Sequence, residues 1–152
     1  MRKIVPFLWF NTEAEEAMNY YVSIFPDSNV VSVMHGPDGK VLTGTFQLAG
    51  QEFMALNGGP QFKFTEAISL FVKCETQEEV DRLWAKLTAD GGEESMCGWL
   101  KDKYGLSWQI IPNRLSELLG DKDPERAGRA MQAMLGMRKI DVAGLEKAAA
   151  GR

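Results

Sequence analysis

The sequence is poor in the side chains that most often bind metals or form disulfides. It contains two cysteines, Cys74 and Cys97, and one histidine, His35, in 152 residues. Two such thiols do not make the paired spacing of a zinc site, and so few of them fit a reduced compartment. We therefore expect a cytoplasmic protein whose fold depends on neither disulfides nor a structural metal.

Two further features are scarce: an excess of positive charge and long apolar runs. The net charge is −4 and the isoelectric point is near 5.1, whereas nucleic acids and anionic membranes attract basic surfaces. No apolar stretch approaches the roughly 20 residues that cross a membrane. We expect neither a nucleic-acid partner nor a membrane partner.

The pattern of the first part of the chain predicts a strand, a helix and three more strands. Thr12 followed by Glu15 has the spacing of a capping box, and Pro26 ends the helix. Glycine-containing turns separate the later strands, which favours antiparallel hairpins. The predicted strands cover residues 3–10, 29–35, 41–49 and 51–56.

The same order of elements then repeats. Residues 67–73 form the next predicted strand, Thr76 with Glu79 repeats the capping box, and strands follow through Pro112. Two such halves predict an α+β fold of paired βαβββ modules that enclose a cleft. The predicted organisation is one domain, with modules at residues 1–58 and 67–113, a linker at 59–66 and a helical C-terminal extension at 114–152.

The extension is predicted to hold three helices. Asn113 and Asp141 are candidate N-caps, and Asp123-Pro124 is a typical helix start. An apolar stripe that includes Met131 and Met134 favours a core position, although a dimer contact would use the same side chains.

The stretch from Cys97 to Pro112 (CGWLKDKYGLSWQIIP) predicts a β-hairpin. Gly105 is expected to occupy a turn position with positive φ, and Asp102 and Lys103 to be solvated turn residues. Gln109 is a polar residue on an otherwise apolar strand. It either completes a hydrogen-bond network in the core or reaches into a pocket.

Four stretches carry a family resemblance: PFLWFNTEAEEAMNYYVSIFP, ALNGGPQFKFTEAISLFVKCETQEEVD, CGWLKDKYGLSWQIIP and AMLGMRKID. They resemble the PhnB-like proteins, labelled 3-demethylubiquinone-9 3-methyltransferase domains, of the glyoxalase or vicinal oxygen chelate superfamily. The resemblance implies a divalent metal held by His, Glu or Gln on the first and last strands of each half.

The matching positions do not support that metal. The internal repeat assigns them to Val5, Met54, Ile68 and Gln109, of which only Gln109 has a ligating side chain, whereas a catalytic metal needs about three. A glycine-rich turn between a strand and a helix, as S-adenosylmethionine enzymes use, is also missing. We expect no metal and no cofactor.

The predicted cleft has aromatic and aliphatic walls with a few polar groups, which is typical of a small-molecule site. Glu52 and Gln109 are the candidate catalytic or ligand-pairing residues, unless they hydrogen-bond to each other. Cys97 is interpreted as a buried apolar side chain, and His35 as a surface residue. The predicted lining is Phe7, Trp9, Glu52, Met54, Leu56, Leu70, Cys97, Trp99, Ser107, Gln109 and Ile111.

The favoured function is metal-free binding of a small, partly apolar molecule. The alternatives are an enzyme that uses the same cleft, either a methyltransferase or a glyoxalase-like lyase or isomerase, and a protein that acts through its dimer surface. Open sheet edges predict a homodimer, with modules exchanged between chains as one possible arrangement.

Overall fold

A computed structural model describes residues 2–152, and the chain divides into two units, Met1–Phe64 and Thr65–Arg152. Each unit repeats the order strand, helix, three strands, so the predicted α+β fold of two βαβββ modules is confirmed. Within the described residues, every helix is too short or too polar to cross a membrane.

The first unit is a four-stranded sheet covered on one face by a helix. The strand order is β1-β4-β3-β2, with β1 parallel to β4 and the other pairs antiparallel. The elements are β1 (Phe7–Phe10), α1 (Ala14–Ile24), β2 (Asn29–His35), β3 (Val41–Leu48) and β4 (Gln51–Asn57).

The core of the first unit lies between α1 and the sheet. Tyr21 stacks on Phe46, which in turn stacks on Phe53, and all three side chains are buried. Gly44 leaves room for Met18, because a Cβ at position 44 would lie 2.5 Å from the Met18 methyl group. This contact brings the helix close to the middle of the sheet.

The start of α1 differs from the prediction. Thr12 does not cap the helix; instead the Asn57 Oδ1 atom, at the end of β4, accepts a hydrogen bond of 2.8 Å from the Ala14 backbone N–H. A residue 43 positions away supplies the cap. The prediction of a capping box from Thr12 and Glu15 was therefore wrong. The second capping box is present, since the Thr76 hydroxyl accepts from the Glu79 N–H.

The second unit repeats the sheet and adds three helices. Its strand order is β5-β8-β7-β6, with β5 parallel to β8 and the other pairs antiparallel. The elements are β5 (Ser69–Cys74), α2 (Gln77–Thr88), β6 (Glu93–Glu94), β7 (Trp99–Lys101), β8 (Ser107–Pro112), α3 (Asn113–Leu119), α4 (Pro124–Leu135) and α5 (Val142–Ala149).

The turn between β7 and β8 contains a buried carboxylate. Asp102 is 2% exposed, and its side chain accepts hydrogen bonds from the backbone N–H groups of Tyr104 and Leu106 and from Trp108 Nε1. The prediction that Asp102 is solvated was wrong, because these donors hold its carboxylate inside the hairpin. An Asp that bonds to the N–H two residues later is an Asx turn.

The C-terminal helices form a second apolar cluster. It contains Leu115, Leu118, Ala130, Ile140 and Leu145, with Met134 and Met137 packed against it. Met134 is partly buried against this cluster, while Met131 is 40% exposed. Asp123 caps α4 as predicted, but Asn113 is the first residue of α3 rather than its cap.

One α2 side chain fastens these helices to the rest of the second unit. Gln77 donates through Nε2 to the Ile140 carbonyl, and its Oε1 accepts from the Val142 N–H. The backbone N–H groups of Cys97 and Gly98 donate to the carbonyls of Met137 and Arg138. Four hydrogen bonds thus hold the segment before α5. No local sequence pattern predicts them.

Gly105 has φ of +87°, as the turn chemistry predicted. Gly105→Val is therefore expected to lower the free energy of unfolding by about 1 kcal/mol or more, because a β-branched residue is strained there. Space is not the cause, since an added Cβ would meet nothing within 4 Å. A urea denaturation midpoint equal to that of the parent protein would contradict this account of the turn.

Candidate functional site

The sheet of the first unit has one face turned away from α1, and this open face carries the predicted lining residues of that half. The register pairs Phe7 with Met54, Trp9 with Leu56 and Gln47 with Glu52. Their neighbours in sequence, among them Leu8, Phe53 and Ala55, are the buried side chains of the helix-covered face. Strand alternation thus gave the correct face for the five predicted lining residues of this unit.

The Trp9 side chain is held in place by contacts with its neighbours. Its Nε1 donates to the Gly59 carbonyl at 2.9 Å, and its ring meets the Phe62 ring edge-on, with centroids 4.9 Å apart. A Cβ at Gly58 would lie 2.4 Å from the indole, so the glycine lets the backbone lie against one side of it. Trp9 therefore has a defined position, with part of its ring exposed.

The open face of the second sheet holds a polar row. Ser69 and Phe71 on β5 pair with Ser107 and Gln109 on β8, and Trp99 on β7 also pairs with Gln109. The Gln109 Nε2 atom donates to the Ser69 hydroxyl at 3.0 Å. Gln109 thus completes a hydrogen bond within its own sheet, which was one of the two possibilities that the sequence left open.

Two predicted wall residues lie elsewhere. Leu70 pairs with the buried Trp108, so it shares the face opposite Gln109; the sequence register of β5 was one residue off. Ile111 belongs to the apolar cluster of the C-terminal helices, because those helices pack over its end of β8. Neither side chain lines the open face.

A cavity of about 180 Å³ lies at the β6–β7 side of this face. Trp99 and Ser107 contribute to its wall, together with Lys101 and three acidic residues. These residues are Glu66, Glu93 and Glu94; Glu93 pairs with Lys101 on this face, while Glu94 pairs with the buried Leu100. The cavity therefore combines an indole, a hydroxyl and charged groups around a small volume.

The Ser107 hydroxyl has an unusual environment. The residue is 1% exposed, and in the part of the chain that the structure describes its Oγ is a buried side-chain atom without a hydrogen-bond partner. Buried polar groups are normally paired, since an unpaired one costs about 1–3 kcal/mol. Within residues 2–152, the folded chain therefore leaves this buried hydroxyl, beside the cavity, without a partner.

The charged groups of the cavity are partly engaged with each other. Lys101 Nζ lies 3.2 Å from Glu66 Oε1, and this hydrogen bond lowers the pKa of Glu66. Trp84 Nε1 donates to Glu94 Oε1 at 2.8 Å. Both carboxylates are thereby oriented, while Glu93 is exposed on the short edge strand β6.

The two cysteines lie in different surroundings. Burial raises the pKa of Cys74 to about 12, so its thiol is protonated at neutral pH. Cys97 lies before β7, in a turn where its φ is +61°, and its N–H is bonded to Met137. The sequence pattern placed Cys97 in a strand. In the structure it lies in a turn whose backbone is hydrogen-bonded to the segment before α5.

The positions expected for metal ligands shift in the structure. The strand residues opposite Met54 and Gln109 are Phe7 and Phe71 rather than Val5 and Ile68, which precede the strands. Phenylalanine cannot ligate a metal. Across residues 2–152, no three His, Cys, Asp or Glu side chains are grouped closely enough to hold an ion.

We predict that elemental analysis of dialysed protein finds no stoichiometric Ni, Zn, Mn or Fe, since a catalytic site needs about three protein ligands. A measured ratio near one ion per chain after dialysis would contradict the prediction.

Residues 2–111 match the family model described as 3-demethylubiquinone-9 3-methyltransferase. The chain belongs to this family. The PhnB protein of Bacillus cereus is 42% identical, with a TM-score of 0.69, and the match covers 73% of this chain and 99% of that one. The match to the family model ends at β8, so α3, α4 and α5 lie outside it.

Two more distant solved structures show the fold alone. A protein of Pseudomonas aeruginosa is 18% identical with a TM-score of 0.61, and the match covers 74% of this chain and 98% of that one. A glyoxylase/bleomycin resistance protein/dioxygenase domain from Frankia is 13% identical with a TM-score of 0.50, covering 74% and 92%. None of the curated proteins searched matches the chain.

Proposed function

We propose that the protein binds a small, partly apolar molecule without a metal, on the open face of its second sheet. The observation that carries the proposal is the Ser107 hydroxyl, which is buried, unpaired and part of a cavity wall beside Trp99. An indole surface and a hydroxyl within one small volume are the usual elements of a ligand site.

The surrounding residues support this proposal. Phe71 is 50% exposed on the open face of the same sheet, which leaves an aromatic side chain on the face that carries Trp99. The Gln109 amide is held by Ser69 on the same face. On the first sheet, Phe7, Trp9, Met54 and Glu52 provide a second open face of similar character.

The proposal is tested by native mass spectrometry of protein taken directly from a cell extract. We expect a bound small molecule that is lost on denaturation. Trp99→Leu should reduce the occupied fraction, because it removes the aromatic wall. Tyr20→Leu, on α1 of the first unit, is the matched control and should leave the occupied fraction unchanged. A bare protein mass in every preparation would reject the proposal.

A transferase is the second candidate, because the family and the Bacillus cereus relative carry that description in their names. Glu52 and Gln109 are its candidate catalytic residues. Adding S-adenosylmethionine to protein that retains its bound molecule tests it in the same spectrometer. A bound cofactor, or a bound molecule heavier by one CH₂ unit because a methyl group has replaced a hydrogen, would favour the transferase, whereas the absence of both changes would count against it.

We also propose a homodimer. Strand β2 forms an edge of the first sheet, and its Val31 and Met34 are 57% and 67% exposed. A seven-residue edge with apolar side chains and unpaired backbone groups favours pairing with another strand. The proposed dimer buries this edge against a second copy, and a cleft that draws on both chains is one consequence.

Sedimentation equilibrium at micromolar concentration is expected to give twice the 16.9 kDa chain mass. Val31→Lys should shift the protein towards the monomer without unfolding it, because the side chain is exposed. Ser116→Lys, on the exposed side of α3, adds the same charge elsewhere and should remain dimeric. A monomer mass for the parent protein would reject the dimer.

A further inference from the structure

The cavity beside Trp99 has a negative charge bias. Four charged residues line it: Glu66, Glu93, Glu94 and Lys101. Glu93 pairs with Lys101 and shares the face of Trp99, whereas Glu94 pairs with the buried Leu100 and its carboxylate is bonded to Trp84 of α2, on the opposite face. Glu66 is paired with Lys101, so on the face of Trp99 the described lining holds one further carboxylate, that of Glu93, and no second cation. The cavity is therefore negative, and an anionic ligand would be repelled from it.

Ser107 and Trp99, which also line the cavity, can each make a different kind of contact with a ligand. The unpaired Ser107 Oγ can accept one hydrogen bond and donate another. The Trp99 ring can attract a cation to its face, an interaction that is strongest for tryptophan. The salt bridge between Glu66 and Lys101 has half-exposed side chains, 64% and 35% exposed, so opening it to admit a ligand costs little.

From these contacts we infer that the cavity binds a small organic ammonium ion, such as a primary amine or an amino alcohol. The inference rests on the proposed function and names its ligand class. The ammonium group replaces Lys101 as a partner of the carboxylates and lies near the Trp99 ring. A hydroxyl on the ligand pairs with Ser107.

Size and coordination separate this ligand from the alternatives. A cavity of about 180 Å³ compares with the ~30 Å³ that one water occupies in the liquid, which suits a few non-hydrogen atoms rather than a polycyclic molecule. A divalent metal is disfavoured, since the acidic side chains among residues 2–152 form no group of three that could hold an ion.

Isothermal titration with three probes of matched size tests the inference: 2-aminoethanol as its cation, neutral ethylene glycol and anionic glycolate. We expect 2-aminoethanol to bind at least tenfold more tightly than either of the others. Ser107→Ala should weaken that binding about tenfold while leaving the unfolding midpoint unchanged or higher, because it removes a buried unpaired hydroxyl.

A matched pair of variants tests the charge. Glu93→Gln should weaken binding of 2-aminoethanol several-fold, whereas Glu78→Gln removes the same charge from an exposed position on α2 outside the cavity and should have no effect. Equal binding of the three probes, or none at all, overturns the inference. If ethylene glycol or glycolate binds best and Ser107→Ala weakens it, the ligand class is wrong while the proposed function stands.

Discussion

Asp102→Ala is expected to destabilise the protein by about 3 kcal/mol. The carboxylate is buried and accepts hydrogen bonds from two backbone N–H groups and from Trp108 Nε1, at 2.9–3.1 Å. Hydrogen bonds to a charged group contribute about 1.5–3 kcal/mol each, and the variant leaves its donors unpaired inside the hairpin. Urea denaturation followed by tryptophan fluorescence measures the loss.

Asp123→Ala is the matched control for this variant. Asp123 accepts one bond, from the Glu125 N–H at an exposed helix start, so its replacement should cost about 1 kcal/mol. Trp108→Phe removes a single donor and also leaves a cavity where the buried indole packed, so it should cost more than Asp123→Ala. The double variant Asp102→Ala/Trp108→Phe should cost less than the sum of its parts. Equal losses for Asp102→Ala and Asp123→Ala would contradict the role given to the buried carboxylate.

Gly98→Ala is expected to lower the free energy of unfolding by about 3 kcal/mol, through backbone strain and overlap together. Gly98 has φ of +84°, and a Cβ there would lie 2.7 Å from the Ile111 Cδ1 atom and 3.1 Å from the Ile140 Cγ1 atom. Its N–H also donates to the Arg138 carbonyl. The substitution therefore strains the turn and separates it from the C-terminal helices.

Gly105→Ala separates the contribution of backbone strain from that of steric overlap. Its φ is +87°, almost that of Gly98, but the added Cβ would meet nothing within 4 Å. The cost should be about 1 kcal/mol, which reports strain alone. Combining Gly98→Ala with Ile111→Val removes the nearest overlapping atom and should recover part of the loss. Equal denaturation midpoints for the two alanine variants would show that overlap at Gly98 is unimportant.

The sequence determined most of the fold because its signals are local. Alternating apolar residues, glycine turns and the Thr76–Glu79 capping box each act within a few residues, and the structure has the predicted elements in the predicted order. Strand β2 has the predicted bounds. Alternation also gave the open-face positions of Phe7, Trp9, Ser107 and Gln109, since side chains on a strand alternate between its faces.

The sequence alone could not decide contacts between distant residues. Asn57 caps α1 across 43 positions, and Gln77 holds a segment 63–65 positions away; no pattern of neighbours carries such information. The register of β5 is set by its pairing with β8, and a slip of one residue exchanges the two faces. That slip moved Leu70 to the wrong face in the prediction.

In the candidate site, too, some features follow from the sequence and others only from the folded chain. Its residue types follow from the sequence, because a polar Ser107 and Gln109 stand out on an apolar strand. Whether each hydroxyl or amide is paired depended on tertiary structure: Gln109 meets Ser69, whereas Ser107 meets no partner within residues 2–152. Asp102, predicted to be solvated, became a buried acceptor because the folded hairpin brings three donors to it.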